Sequence, residues 1–304
     1  MSEASLTTRV GSVALRSPIL TAAGTAGFGD ELAGYGDLSR LGALVTKSLA
    51  SFAWPGNPAP RIAAVGEHLI NSVGLAGPGV AAWRQDYEPS LVATGATIVT
   101  SIWGRNTQEF ADAADGLAES PAIALEVNAS CPNLEDRATM FAHSPEATAA
   151  IVRATVSEKR PVWVKLSPNT PDLVRIAATA VDAGAEALVL VNTVLGLAID
   201  VERRRPVLGG IGGGVSGPGI HPVALRAIFD CRRALPDVPI VGVGGVRSGE
   251  DAIAMLMAGA SAVEVGTAIF ASPRAPWRIQ REVLSWLGSH GVADVREIIG
   301  VAHG

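Results

Sequence analysis

The sequence predicts a (β/α)8 barrel, read as one domain over residues 1–304. Three observations lead there. Eight short runs rich in Val, Ile, Leu and Ala recur along the chain, several of them almost continuously apolar, as parallel strands covered on both faces are. Between the runs lie stretches with apolar residues at three- and four-residue spacing, the pattern of helices that pack one face on a sheet. The competing architecture, an open doubly wound sheet, calls for G-x-G-x-x-G after the first strand. The residues there, Gly24-Thr25-Ala26-Gly27-Phe28-Gly29, have a different spacing. A chain of 304 residues suits a barrel, which needs roughly 250, and buries a core without disulfides or metals.

The elements follow in order. Thr7–Arg16 (TTRVGSVALR) alternates around a glycine and suits a hairpin plugging the N-terminal end of the barrel. Strands are expected at Pro18–Gly24, Gly42–Leu49, Thr97–Ile102, Ile123–Asn128, Val162–Ser167, Ala187–Thr193, Pro239–Gly245 and Ala262–Ile269. Helices are expected at Asn106–Glu119, Pro145–Val156, Pro171–Ala183, Pro222–Ala234 and Gly249–Ala258. The proline-rich stretch Ser51–Leu69 follows the second strand, so it should lie as an irregular covering loop over the face where barrels build their sites.

Composition excludes several function classes. Net charge is −5 and the pI about 5.6, which argues against a nucleic-acid surface. Two cysteines, Cys131 and Cys231, cannot form a disulfide scaffold or supply an iron–sulfur site, and no metal site is expected. No apolar run reaches the roughly 18 residues of a membrane span, and the first residues lack a signal-peptide layout, so a cytoplasmic setting is expected.

Barrel sites are built by strand C-termini and the loops that follow. That rule selects Lys47, Ser101, Glu126, Asn128, Cys131, Asn133, Lys165, Asn192, Thr193, Gly244, Gly245, Gly266 and Thr267. The chain has seven asparagines, and three fall in this set; a fourth, Asn71, precedes the glycine-rich NSVGLAGPG. One strand-end asparagine is ordinary turn chemistry. Several together favour a ligand that both donates and accepts, such as a pyrimidine or flavin ring. Glycine turns close the last two strands, at Gly244-Gly245 and at Gly266-Thr267, where barrels often bind phosphate on bare backbone N–H groups.

Only three lysines occur among 24 basic residues: Lys47, Lys159 and Lys165. Two of them interrupt apolar strands. Each is either neutralised by a carboxylate, Glu126 or Glu264 for Lys165, or faces an electron-rich cofactor. Cys131, just past the fourth strand in EVNASCPN, is either inert core or a reactive thiol; Cys231 sits in a helical pattern and reads as structural.

EVNASCPN, NSVGLAGPGV, VKLSPN, LVNT, SGPGIHPVAL and VGVGGVRSGEDAIAMLMAGASAVEVGTAIF together resemble the dihydroorotate dehydrogenases, in particular the catalytic subunit of class 1B, over nearly the whole chain. The resemblance implies an FMN-dependent barrel that oxidises dihydroorotate to orotate in pyrimidine biosynthesis. It implies that Cys131 is the general base at C5 while hydride passes from C6 to flavin N5. It places Ala23, Lys47, Ser48, Ser101, Asn128, Lys165, Val191, Gly217, Gly244, Gly245, Gly266 and Thr267 at FMN. It places Lys47, Asn71, Ser72, Val73, Gly74, Leu75, Asn128, Asn133, Asn192 and Thr193 at the substrate. A homodimer is implied, joined by a separate subunit with FAD and a [2Fe–2S] cluster that reduces NAD+. The alternatives are the fumarate-dependent class 1A, a related barrel acting on another pyrimidine, and a non-catalytic FMN-binding subunit. Departures from the family pattern are Ala23 for serine, Ser101 for asparagine, Gly77 for asparagine, Trp103 for a small residue, and LEDRATMFAHSP after Cys131 in place of a glycine-containing loop.

Overall fold

The computed structural model describes residues 4–130, 140–157 and 159–304. Eight parallel strands close into a barrel in chain order: β1 (Ile19–Thr21), β2 (Ala43–Val45), β3 (Ile98–Ile102), β4 (Ala124–Asn128), β5 (Val162–Leu166), β6 (Ala187–Leu190), β7 (Ile240–Val243) and β8 (Ala262–Val265). Closure is made by β8 pairing with β1, Val263 beside Ile19 and Val265 beside Thr21. Each of the eight expected strands is present, shortened by a few residues at its ends. The eighth differs most: Ala268–Ile269, expected as strand, begin the four-residue helix Ala268–Ala271. Gly266 and Thr267 break the extended run and allow that turn.

Strand side chains alternate between two cores. One set points inward, including Leu20, Val45, Val99, Ala124, Trp163, Val189, Val241 and Ala262. The other packs outward against the helices through residues such as Ile19, Leu44, Ile98, Leu125, Val164, Leu188 and Val263. The hairpin of Thr8–Val10 and Val13–Leu15 adds Val10, Val13 and Leu15 to the inner set, so it plugs the barrel as expected.

The helices lie near their expected places, at Thr107–Gly116, Pro145–Thr155, Leu173–Asp182, His221–Ala234 and Gly249–Met257. Their starts follow local chemistry. Asn106 and Ser144 accept from backbone N–H groups of Glu109 and Ala147, and Ser248 forms a capping box with Asp251.

One expectation is corrected. Ser51–Leu69 is not wholly irregular: Ile62–Val65 and His68–Asn71 form a hairpin that continues into a four-stranded antiparallel sheet with Gly213–Ser216 and Val194–Gly196. The partners lie about 140 residues apart, with Asn71 beside Gly214, so no local pattern announces the pairing.

Candidate active site

The C-terminal ends of the strands open into a cavity of about 700 Å³. Its floor and walls come from all eight strand ends: Ala22 and Ala23 after β1, Lys47 and Ser48 after β2, Trp103 and Arg105 after β3, Asn128 on β4, Lys165 on β5, Val191, Asn192 and Thr193 after β6, Val243, Gly244 and Gly245 at β7, and Gly266 and Thr267 after β8. The small antiparallel sheet contributes Asn71 and Gly214, and the glycine turn contributes Ser72, Val73, Gly74 and Leu75.

One end of the cavity is a chain of amide and hydroxyl groups. Asn192 Nδ2 donates to Asn128 Oδ1 at 3.2 Å, and Asn128 Nδ2 reaches Ser48 Oγ at 3.4 Å. Ser48 Oγ shares a 2.9 Å hydrogen bond with Ser101 Oγ. Asn192 Oδ1 also accepts from the Thr193 N–H at 2.8 Å, and Asn71 Nδ2 donates to Gly214 O at 3.2 Å. These bonds fix the side-chain rotamers and so aim their remaining polar atoms. Leu75 has φ 60°, a strained value for a branched residue, next to Gly74 at φ 69°.

The other end is backbone. Gly244 and Gly245 have φ of 134° and 72°. A Cβ on Gly245 would stand 2.7 Å from His221 Cβ and 2.9 Å from Gly217 O. Glycine therefore lets the turn press against the start of His221–Ala234 while its peptide edge borders the cavity.

The two strand lysines differ. Lys47 is half-buried at the wall, and among the described residues no carboxylate pairs with it. Burial pushes its pKa down to about 8. Lys165 borders the same cavity and is also neutralised: its Nζ lies 2.7 Å from Glu264 Oε2 and 3.6 Å from Glu126 Oε2, both carboxylates fully buried. Burial would lower the Lys165 pKa, but the two acids outweigh it and hold it above the usual lysine value.

A family model for dihydroorotate dehydrogenase matches residues 5–287. The chain belongs to the dihydroorotate dehydrogenase family. Among similar proteins, one from Pelobacter propionicus is 43% identical over 297 residues, covering 97% of each chain. One from Desulforudis audaxviator is 44% identical over 296 residues, covering 97% of this chain and 96% of its own. One from Trichlorobacter lovleyi is 41% identical over 301 residues, covering 98% and 99%. Each is named dihydroorotate dehydrogenase B (NAD(+)), catalytic subunit.

Of the residues expected at the site of a dihydroorotate dehydrogenase, most meet at this one cavity. Ser101 and Gly217 are not on its wall. Ser101 is fully buried, its hydroxyl held by Ser48 and its N–H by Thr46 Oγ1 at 3.2 Å; Gly217 lies behind Gly245, its carbonyl 2.9 Å from where a Cβ on Gly245 would stand. Cys131 and Asn133 lie outside the described residues; Ser130, directly before Cys131, borders the cavity.

Several wall residues were not expected: Trp54, Asn57, Arg105 and Met140. The Arg105 guanidinium sits 4.2 Å from the Phe52 ring centre and is bound to Glu109. Arg105 follows β3 by three residues, so the strand-end rule could have found it. Trp54 and Asn57 sit in the long loop, where the sequence carries no period to place them. Trp103, which departs from the family pattern, is buried at the cavity edge in an aromatic cluster with Phe52 and Trp54.

Proposed function

We propose that this chain oxidises (S)-dihydroorotate to orotate, using FMN bound in the barrel cavity, and passes the electrons to an NAD+-reducing partner. The observation that carries this reading is that one cavity is lined by two surfaces of unlike chemistry. Glycine backbone lines it at the ends of β7 and β8, and fixed amides and Lys47, which no carboxylate among the described residues pairs with, line it elsewhere. The relatives' names supply the substrate and the acceptor.

The residues present fit the cofactor. Gly244, Gly245, Gly266 and Thr267 offer unobstructed peptide edges for a phosphate, as loops after strands seven and eight often do. Ala22, Ala23, Val191 and Val243 offer an apolar surface for a ring system, with Lys165 as the cation beside it. Bound FMN would supply the hydride acceptor for C6 of the substrate.

The chain's own side chains do the rest. Lys47 faces the substrate carboxylate with an ammonium that no acid among the described residues neutralises. Asn71, Asn128 and Asn192, with Asn133, satisfy the ring's alternating donors and acceptors; Ser72, Val73, Gly74, Leu75 and Thr193 close around it. Cys131 takes the C5 proton and C6 gives up a hydride, so the substrate loses one hydrogen as a proton and the other as a hydride, and the C5=C6 double bond forms. Two cysteines cannot ligate an iron–sulfur cluster, so FAD and the [2Fe–2S] centre belong to a separate subunit on a homodimer of this chain.

The test is optical. Purified protein should be yellow, and dihydroorotate added anaerobically should bleach the flavin band. A yellow protein that dihydroorotate leaves unbleached, but another dihydropyrimidine bleaches, would move the substrate. A protein that neither carries nor rebinds FMN would remove the reading.

A further inference from the structure

Inside the barrel, directly below the cavity, three charged side chains meet on three strands: Glu126 on β4, Lys165 on β5 and Glu264 on β8. Lys165 Nζ donates to Glu264 Oε2 at 2.7 Å and lies 3.6 Å from Glu126 Oε2. The acids are fully buried and the lysine nearly so. Both oxygens of Glu126 and Oε1 of Glu264 have no hydrogen-bond partner among the described residues. Lysine's neighbours in register, Asn128 and Val189, are neutral. The other cations bordering the cavity are Lys47 and Arg105.

We propose that Glu126 and Glu264 share a single proton, and that this proton fixes the charge Lys165 presents to the cofactor end of the cavity. With both acids ionised, one cation would face two anions, leaving a net buried negative charge beside a flavin that must accept electrons. A buried uncompensated charge is costly, and carboxylate oxygens left without a hydrogen bond around the same ammonium add to the cost. One proton between them removes both penalties: it satisfies an orphaned oxygen and leaves one anion for one ammonium. Carboxyl pairs in close contact resolve their repulsion in this way elsewhere. The direction of ionisation agrees: burial and the facing Glu126 hold the Glu264 proton well above the usual carboxylate range, against the pull of Lys165. Glu126 and Glu264 are thus positioning residues that act through Lys165. The shared proton stands on the cluster's geometry; its effect on the flavin rests on the FMN reading.

Two measurements test it. Infrared spectroscopy of the full chain, at a pH well above the ordinary carboxylate range, should show one protonated carboxyl stretch that shifts in D2O. That band should vanish in Glu126→Gln and equally in Glu264→Gln, because each leaves one acid paired with Lys165. The second readout is the flavin midpoint potential. Each single variant should match the parent, since each keeps one anion against one cation. The double variant Glu126→Gln/Glu264→Gln should have a raised potential, because Lys165 is then unopposed. A parent with no protonated carboxyl band, or single variants that each raise the potential, would mean that both acids are ionised and would overturn the proposal. The infrared result stands whether or not the protein carries FMN, so failure here is separable from failure of the functional reading.

Discussion

Burial acts on both cavity lysines, and their partners decide the result. Lys165 has two carboxylates and stays charged; Lys47 has none among the described residues, and desolvation brings its pKa to about 8. An anion arriving beside Lys47 must favour its charged form. Orotate affinity should therefore fall as pH rises above about 8, and Lys47→Met should abolish that dependence and weaken binding at pH 7 by about 10- to 100-fold, the worth of a hydrogen bond to a charged group. Titrating the flavin spectrum with orotate across pH checks this, with Cys131→Ser retaining the dependence. The cysteines divide likewise. Cys231 is fully buried on the helix His221–Ala234, and burial pushes its thiol up to about 12, so Cys231→Ala should leave flavin reduction unchanged. Cys131→Ala should slow reduction by dihydroorotate by about 10²–10⁴-fold, the usual worth of a general base, while orotate still binds. Rapid-mixing absorbance decides it, and a variant reduced at the parent rate would place the base elsewhere. At this scale the sequence showed that Lys47 and Lys165 were exceptional. It could not choose between salt bridge and cofactor contact for Lys165, because both alternatives hold at once: the ammonium borders the cavity and is paired beneath it.

Single elements show why some of the site was legible and some was not. The strands and helices could be read because each announces itself over neighbouring residues, by a continuous apolar run, a three-to-four spacing, or a cap such as Asn106. The sheet above the cavity could not, because its signal is a pairing between Asn71 and Gly214 across most of the barrel. The turn after β7 was legible from its glycines, and the structure adds the reason they are glycines. Gly245 has φ 72°, and a Cβ there would meet His221 and the Gly217 carbonyl at 2.9 Å or closer. Gly245→Ala should cost about 1–2 kcal/mol for the left-handed backbone alone, with the clash added. It should shift the turn away from His221, so that flavin retention on gel filtration falls more than overall stability does. Gly288→Ala serves as the control, since it lies in the last long helix with open space at its Cβ and should retain flavin fully. Equal flavin loss in both variants would remove the turn from the phosphate site.

Across the whole molecule, stability sums contributions that function holds in tension, and Lys47 makes the point measurable. In the unfolded chain its pKa is 10.5; in the fold it is about 8. Between those values the unfolded chain binds more protons, so this group makes the flavin-free protein more stable as pH rises. The same rise in pH weakens the binding of an anion at Lys47. The cavity thus keeps a buried cation that destabilises the empty fold below about pH 8 and is relieved when an anionic ligand arrives. Cys231 works against it at higher pH: its thiol is 9.0 unfolded and about 12 folded, so its contribution falls as pH rises above 9. Lys165, held above its usual value, loses its contribution only at higher pH still. The window from pH 8 to 9 therefore isolates Lys47 among these three. Denaturant titration of the flavin-free protein should show the parent gaining about 1 kcal/mol over that unit of pH relative to Lys47→Met, since a full unit of differential protonation is worth about 1.4 kcal/mol. Comparing the two proteins cancels the other groups that titrate there. Saturating orotate, where the flavin-bound protein is used instead, should flatten the slope, because a Lys47 pKa drawn back toward 10.5 leaves folded and unfolded chains equally protonated between pH 8 and 9. Parallel stability curves for parent and variant would show that Lys47 is already neutralised in the empty protein, and that the substrate carboxylate has another partner.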